Sequence, residues 1–334
     1  MTGEISTVSH LSVVMTTDEG EMTQTTAENG ATSSSPRGAA FYYNSFVLVI
    51  GIMGTAANGL VLYALVASKQ HKKHELIVSQ NALDLYSCLF LVITYGLRLC
   101  NIQLTGSLGY WLCMLLFNEN LLWCGVSGSF VNLMFISIER YLKVVHSAWS
   151  KKKLRKWMTY AAIAVAWISG FVHIMPIMFE SSAVINGVCF GYVMWKDPGS
   201  AMGYSIFYFV FSYFIVVLVF IFCYGKILMA IRRQARVMAS HNEAGSSTTQ
   251  AQLNHLQTSA SKTMILVCAF YAIAWLPDAI YVLLISLNIN LTFDDGGYFM
   301  TLAFLYICAS LHRHRHQTLS AFGMLSDENK SVSG

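Results

Sequence analysis

Ile138-Glu139-Arg140-Tyr141 closes an apolar run that begins near position 111, and it sets an acid, an arginine and a tyrosine where a helix leaving lipid should meet water. The run has company. Comparable stretches lie near 43–67, 76–100, 157–178, 203–231, 262–287 and 298–311. A hydrocarbon core of ~30 Å takes roughly 20 apolar residues per helix, so six of the seven runs are long enough and the last is short. Lipid gives unpaired backbone groups no water to bond, and runs this continuous satisfy themselves as helices. The expected fold is all-α, a seven-transmembrane helix bundle.

Composition agrees with that class. Of 334 residues 55% are hydrophobic and 11% charged, against roughly 25% charged in a soluble domain. Lys and Arg gather in alternate loops: Lys69, Lys72 and Lys73; then Lys143, Lys151, Lys152, Lys153, Arg155 and Lys156; then Arg232, Arg233, Arg236 and Lys262. The opposite loops hold Glu180, Lys196, Asp197, Asp294 and Asp295. The positive-inside rule then predicts the N-terminus outside and the C-terminus inside. The net charge of +4 restates this asymmetry; it suits a basic inner face to anionic membrane lipid and gives no reason to expect nucleic-acid binding.

Residues 1–40 hold five acids against Arg37 alone, with abundant Thr, Ser and Gly, and are expected to be a disordered extracellular tail. No signal peptide is visible there, so the first span should direct its own insertion. The membrane domain is placed at 41–311 and a short cytoplasmic tail at 312–334. A polar stretch from about Met238 to Gln257 reads as a flexible inner loop. Asn290-Leu291-Thr292 is a glycosylation sequon close to the sixth span.

Cys88, Cys124, Cys223, Cys268 and Cys308 fall inside spans and read as packing residues. Cys100, Cys113 and Cys189 fall on the outer side, where oxidation is allowed. A bridge between Cys113 and Cys189 is the preferred pairing, with Cys100 as its competitor.

Ionisable groups at membrane depth are functional candidates by default, because each costs roughly 2.5–3.5 kcal/mol to bury there. Asp84, mid-way along the second span, is the clearest. With Asn58 and Ser129 it would form a polar cluster able to hold water or a small cation; the alternative is a purely structural hydrogen-bond network.

Asn58-Gly59-Leu60-Val61, Asn81-Ala82-Leu83-Asp84-Leu85, Glu139-Arg140-Tyr141, Trp167, Tyr224 and Trp275-Leu276-Pro277 stand in order on successive spans. Together, from about residue 43 to 309, they resemble the rhodopsin-like (class A) G-protein-coupled receptors. The continuation Leu142-Lys143-Val144-Val145-His146 looks most like peptide-type and invertebrate orphan receptors. The resemblance implies a multi-pass plasma-membrane receptor that binds an extracellular ligand and signals to a heterotrimeric G protein. Arg140 would pair with Glu139 at rest and face the G protein on activation, with Tyr141 and Tyr224 beside it. Trp275 above the Pro277 kink would be a rotamer switch, and Asn132 and Trp167 would form the packing contact between the third and fourth spans.

Three departures from the family stand out. Val216 occupies the position, eight residues before Tyr224, where the family carries a proline, which puts the usual bulge of span 5 in doubt. Cys113 lies two residues farther from Arg140 than the family's spacing. Two residues turn a helix by about 200°, so either the bridge is displaced or the third span has an extra outer turn. The seventh run reads Ser310-Leu311-His312-Arg313-His314-Arg315-His316 where the family has Asn-Pro-x-x-Tyr. Tyr298 to Leu311 would reach only about 21 Å as helix. A splice variant or a gene model that left its reading frame would account for this; a transcript continuing from Ala309 into Asn-Pro would support it.

By resemblance the ligand site lies in the outer half of the bundle, where Glu119, Leu122, Tyr208 and Asp278 are the candidates and Trp123, Tyr204, Tyr271 and Tyr281 could add aromatic contacts. Glu119 and Asp278, if both face inward, would make an anionic mouth suited to a positively charged ligand. Leu122 stands where amine receptors of the family carry an aspartate, which disfavours a simple biogenic amine. Retinal is disfavoured too, since Phe304 stands where its lysine would be. No nucleophile pair, phosphate loop or metal triad suggests an enzyme; no cofactor is expected, and the alternating His-Arg tract would repel a metal. The competing readings are a truncated, non-signalling receptor-like protein and, more remotely, a transporter or channel, which would usually show repeated halves.

Overall fold

The computed structural model describes residues 36–69, 71, 74–100, 102–180, 182–191, 197–241, 265–266 and 268–284. Five helical stretches among them are long and apolar enough to cross a membrane: Ala40–Ala67, Glu75–Leu99, Gly106–Val145, Lys156–Glu180 and Gly199–Arg233. A shorter apolar helix, Cys268–Leu284, follows. These are the first six expected runs. The seventh, with Phe304 and the His-Arg tract, lies outside the described residues, as does the Asn290 sequon.

We number the helices α1 (Pro36–Ala67), α2 (Glu75–Leu99), α3 (Gly106–Leu112), α4 (Asn120–Val145), α5 (Ser147–Lys153), α6 (Lys156–Glu180), α7 (Pro198–Tyr208), α8 (Ile215–His241) and α9 (Cys268–Leu284). Helix α1 begins inside the segment expected to be a tail. The third span is α3 plus α4, and the fifth is α7 plus α8. Helix α4 sits at the centre, packed on α2, α6 and α8, while α1 packs on α2. From Leu122 to Phe130 every residue of α4 is buried, as expected of a helix with neighbours on all sides. Glycines permit the closest crossing: a Cβ on Gly128 would lie 2.9 Å from the Ala166 carbonyl oxygen, and one on Gly170 would overlap that of Cys124. Small residues commonly let membrane helices approach in this way. By contrast Leu60, Tyr63, Ile168 and Val172 point outward, the faces suited to lipid.

Both doubtful spans prove to be interrupted. In the third, α3 runs into a π turn, Cys113–Phe117, and the chain then passes through Glu119 at φ 59° before α4 starts. Cys113, at the head of this break, bonds Cys189 with their Cα atoms 5.3 Å apart, Cys100 is free and exposed, and α3 continues the span outward of the bridge. In the fifth, a π turn spans Phe209–Phe214 although Val216 replaces the proline, so the bulge is present after all.

The outer loop that carries Cys189 is a hairpin, β1 (Ala183–Ile185) against β2 (Val188–Phe190), with Val184 opposite Cys189. Asn186 and Gly187 both have positive φ, 51° and 78°. Asn-Gly is the pair that a tight two-residue hairpin turn favours. Asn118 in the span-3 break donates to Ser182 Oγ at 2.8 Å and to the Phe190 carbonyl at 3.3 Å, tying the hairpin to the bundle beside the disulfide.

Candidate functional site

Midway through the bundle, α2 and α4 share a ladder of side-chain bonds. Asp84 Oδ1 accepts from Ser129 Oγ at 2.8 Å and from Gln80 Nε2 at 3.2 Å. Gln80 also donates to Ser129 and accepts from Asn132 Nδ2 at 2.9 Å. The geometry follows from helix periodicity: Gln80 lies four residues before Asp84 and Ser129 three before Asn132, so each pair shares a face. The expected cluster therefore needs correction. Asn58 turns its amide to the Gly54 carbonyl of its own helix, 3.0 Å, and to Cys88 Sγ, and makes no bond to Asp84; Gln80 and Asn132 take its place. Sequence reasoning missed Gln80, although its spacing from Asp84 was a usable signal. Among the described residues no cationic side chain pairs with Asp84, so this carboxylate has room chemically for a small cation or a proton.

Asn132 also donates to the Leu76 carbonyl at 3.0 Å, and Trp167 Nε1 donates to Ser79 Oγ at 3.3 Å. Asn132 and Trp167 each bond α2, which lies against both α4 and α6, while α4 and α6 also pack on one another.

At the outer end Glu119 is no open anion. Its Oε1 lies 3.0 Å from Arg98 Nη1 and accepts from the Tyr95 hydroxyl at 2.9 Å. Arg98 also donates to the Phe117 carbonyl and rests 4.6 Å over the Tyr95 ring. The anionic mouth proposed from Glu119 and Asp278 therefore loses Glu119, whose charge is matched by an arginine that sequence reasoning passed over. Leu122 lies in the apolar core. Asp278 on α9 is buried and accepts from the Tyr208 hydroxyl at 3.1 Å. Next to this pair the His173 ring meets Tyr208 edge-on at 5.5 Å and bonds Ser212 Oγ through Nε2 at 3.1 Å; Tyr204 donates to the His173 carbonyl. His173 was also missed, although an ionisable group inside a span was signal enough.

At the inner end Glu139 pairs with Lys143 at 2.6 Å, one helical turn on. The expected Glu139–Arg140 pair is not formed, because neighbouring helix residues diverge by about 100° while residues four apart share a face. Among the described residues Arg140 Nε has no acceptor. Tyr141 meets His146 Nε2 at 3.1 Å and packs on Phe222. The Tyr224 hydroxyl lies 3.1 Å from Ser137 Oγ, whose hydrogen goes to the Leu133 carbonyl. Trp275 is buried edge-on against Phe130 at 4.8 Å and Trp123 at 5.8 Å, two residues before Pro277.

Glu139-Arg140-Tyr141 in the last turns of the central helix, a disulfide from the third span to the hairpin, and Trp275 buried two residues before Pro277 stand together on a bundle of membrane-length helices. Residues 57–312 match the 7 transmembrane receptor (rhodopsin family) pattern, and the chain belongs to that family, the class A G-protein-coupled receptors; it is a multi-pass membrane protein. Among curated relatives it is 24% identical to galanin receptor type 1 of Homo sapiens over 245 residues, 70% of this chain and 64% of the receptor. It is 25% identical to Opsin-5 of Mus musculus over 264 residues, 70% of this chain and 62% of that protein, and 23% identical to melanopsin of Felis catus over 261 residues, 75% and 52%. The chain thus spans a little under two thirds of the length of the human galanin receptor.

Proposed function

We propose that this chain is a plasma-membrane receptor, N-terminus outside, that takes an extracellular ligand in its outer half and signals to heterotrimeric G proteins inside. Residues 1–40 form its outer tail, 41–311 the membrane domain and 312–334 the cytoplasmic tail. The observation that carries the reading is Arg140. It lies near the inner end of the most enclosed helix, and among the described residues Lys143 rather than Arg140 holds Glu139, which leaves the guanidinium to an acceptor arriving from the inner side. Tyr141, Tyr224, Trp275 and Pro277 are the parts expected to move with it.

The ligand carries a positive group that Asp278 and Tyr208 receive, and a peptide is the class favoured, supported by the likeness to galanin receptors and by Leu122. The opsin likeness does not extend to a retinal site, since Phe304 replaces the lysine. Nucleotide exchange on purified G proteins, driven by galanin and a panel of basic peptides on membranes holding the full chain, tests the reading. Ligand-dependent exchange that Arg140→Ala removes while binding persists is expected. Ion flux through reconstituted bilayers without G protein would replace the receptor by a transporter or channel. Asp278→Asn should weaken a cationic ligand at least tenfold; unchanged affinity removes Asp278 from the site.

A second reading, a receptor-like protein that binds but cannot couple, is favoured by Ser310 to His316 standing in place of Asn-Pro-x-x-Tyr. Exchange by a version with a restored seventh helix beside silence from the native chain would select it.

A further inference from the structure

Span 5 keeps its bulge without a proline, and two tyrosines lie where the reason should be. Tyr271 of α9 donates its hydroxyl hydrogen to the Ser212 carbonyl, inside the π turn. Tyr213, the next residue, donates to the Ala272 carbonyl at 2.9 Å. The two rings stack with centroids 6.5 Å apart and planes inclined by 20°. Each tyrosine thus bonds the backbone beside the other.

The Ser212 carbonyl lies inside the π turn, and the Ala272 carbonyl lies one residue before the carbonyl that Pro277 deprives of its amide. In an α-helix the Ser212 carbonyl would receive the amide four residues on, that of Val216. A proline at 216 would delete that amide and leave the carbonyl free. Val216 retains it, so a competing donor is needed to keep Ser212 out of a regular turn, and Tyr271 supplies one from the neighbouring span.

The bulge sets what lies outward of it. Tyr208 is the last residue before the π turn, and its hydroxyl reaches Asp278. Removing one residue's worth of bulge turns the outer half of the helix by about 100°, enough to carry Tyr208 off that carboxylate. We propose that Tyr271, with Tyr213 as reciprocal partner, is a positioning residue that replaces the missing proline: it holds the span-5 bulge open and so keeps Tyr208 on Asp278. The clasp stands on geometry alone; only its consequence for binding rests on the ligand reading above.

The test uses the full chain in lipid nanodiscs with Cys100→Ser and nitroxide labels on Leu108→Cys and Met202→Cys, both exposed positions, read by pulsed electron paramagnetic resonance. Tyr271→Phe should move the mean label distance on the order of 5 Å, the swing of a helix surface through that angle. Adding Val216→Pro to Tyr271→Phe should restore the original distance, a rescue that a general loss of packing would not show. Val216→Pro alone, which would break an uninterrupted helix, should leave both distance and folding unchanged. An unmoved distance in Tyr271→Phe, or no rescue, overturns the proposal; if Tyr271→Phe does not fold, failure of Val216→Pro alone to fold overturns it. Restored distance without restored binding of a cationic peptide would instead sink the Tyr208–Asp278 ligand reading and leave the clasp standing.

Discussion

Glu119 and Asp84 are both buried carboxylates, yet the first meets an arginine and the second only neutral donors. Glu119 lies in the span-3 break, ten residues before Ser129, or about 15 Å along an ideal helix. There Arg98, Tyr95 and the Phe117 carbonyl close a compact set of bonds. A left-handed backbone at a non-glycine residue costs on the order of 1–3 kcal/mol, and the ion pair keeps Glu119 in that conformation beside the disulfide. Asp84 has hydrogen bonds from Ser129 and Gln80 but no counter-charge among the described residues. Within one bundle, a matched pair acts as a staple, and an unmatched carboxylate is where a cation or proton can couple to helix packing.

The largest effect should come from unmatching the staple. Arg98→Met leaves Glu119 buried without its cation and should lower stability by roughly 3–5 kcal/mol, read as thermal unfolding in nanodiscs. Adding Glu119→Gln should recover much of the loss, since the stranded charge is gone. If the single variant melts like the native chain, the outer pair is ornamental and the contrast with Asp84 disappears.

Gln80→Leu comes next. It removes one donor from Asp84 and the acceptor of Asn132, and should cost about 1–3 kcal/mol; a cost near zero would mean that the ladder does not hold α2 to α4. Asp84→Asn should change stability by less, within about 1 kcal/mol, but should abolish any rise of Tm in sodium chloride relative to choline chloride. A native chain indifferent to sodium would reduce the ladder to structure alone.

The smallest effect belongs to a third carboxylate that is neither buried nor paired. Asp197 caps α7 by accepting from the Ser200 amide at 2.9 Å and from the Ser200 hydroxyl; the backbone bond, then the hydroxyl, holds its carboxyl below the usual carboxylate range. The cap's contribution is therefore fully present above the unfolded-state value, roughly 3.9, and is lost as pH falls through the depressed one. The protection of the first-turn amides of α7, exchange measured relative to an unfolded peptide at the same pH, should stay constant from neutral pH down to that region and fall only below it. Asp197→Ala should show the lower protection already at neutral pH and no further loss as the pH falls.

Much of this was readable from residues alone. Six membrane-length or apolar helical stretches coincide with the first six apolar runs, with ends displaced by up to about ten residues where helix continues past the apolar core, because the need to satisfy backbone groups in lipid makes each run a helix. The Cys113–Cys189 pairing held, and Asn186-Gly187 announces a hairpin that went unread. Gln80 was within reach through its spacing to Asp84. Arg98 with Glu119, and Tyr271 with Ser212, were not, since nothing local links positions 21 and 59 residues apart. The Glu139–Arg140 expectation failed for a local reason: Lys143 shares the face of Glu139 and Arg140 does not.

Long uncharged runs and lopsided lysines and arginines suffice to commit a chain to lipid, to helices and to a predicted orientation, because solvation of backbone and charge depends on residue type more than on neighbours. Which buried polar groups meet is a different matter. It depends on how far each helix is rotated about its axis, and the two π turns reset that rotation through bonds that exist only once the spans have packed.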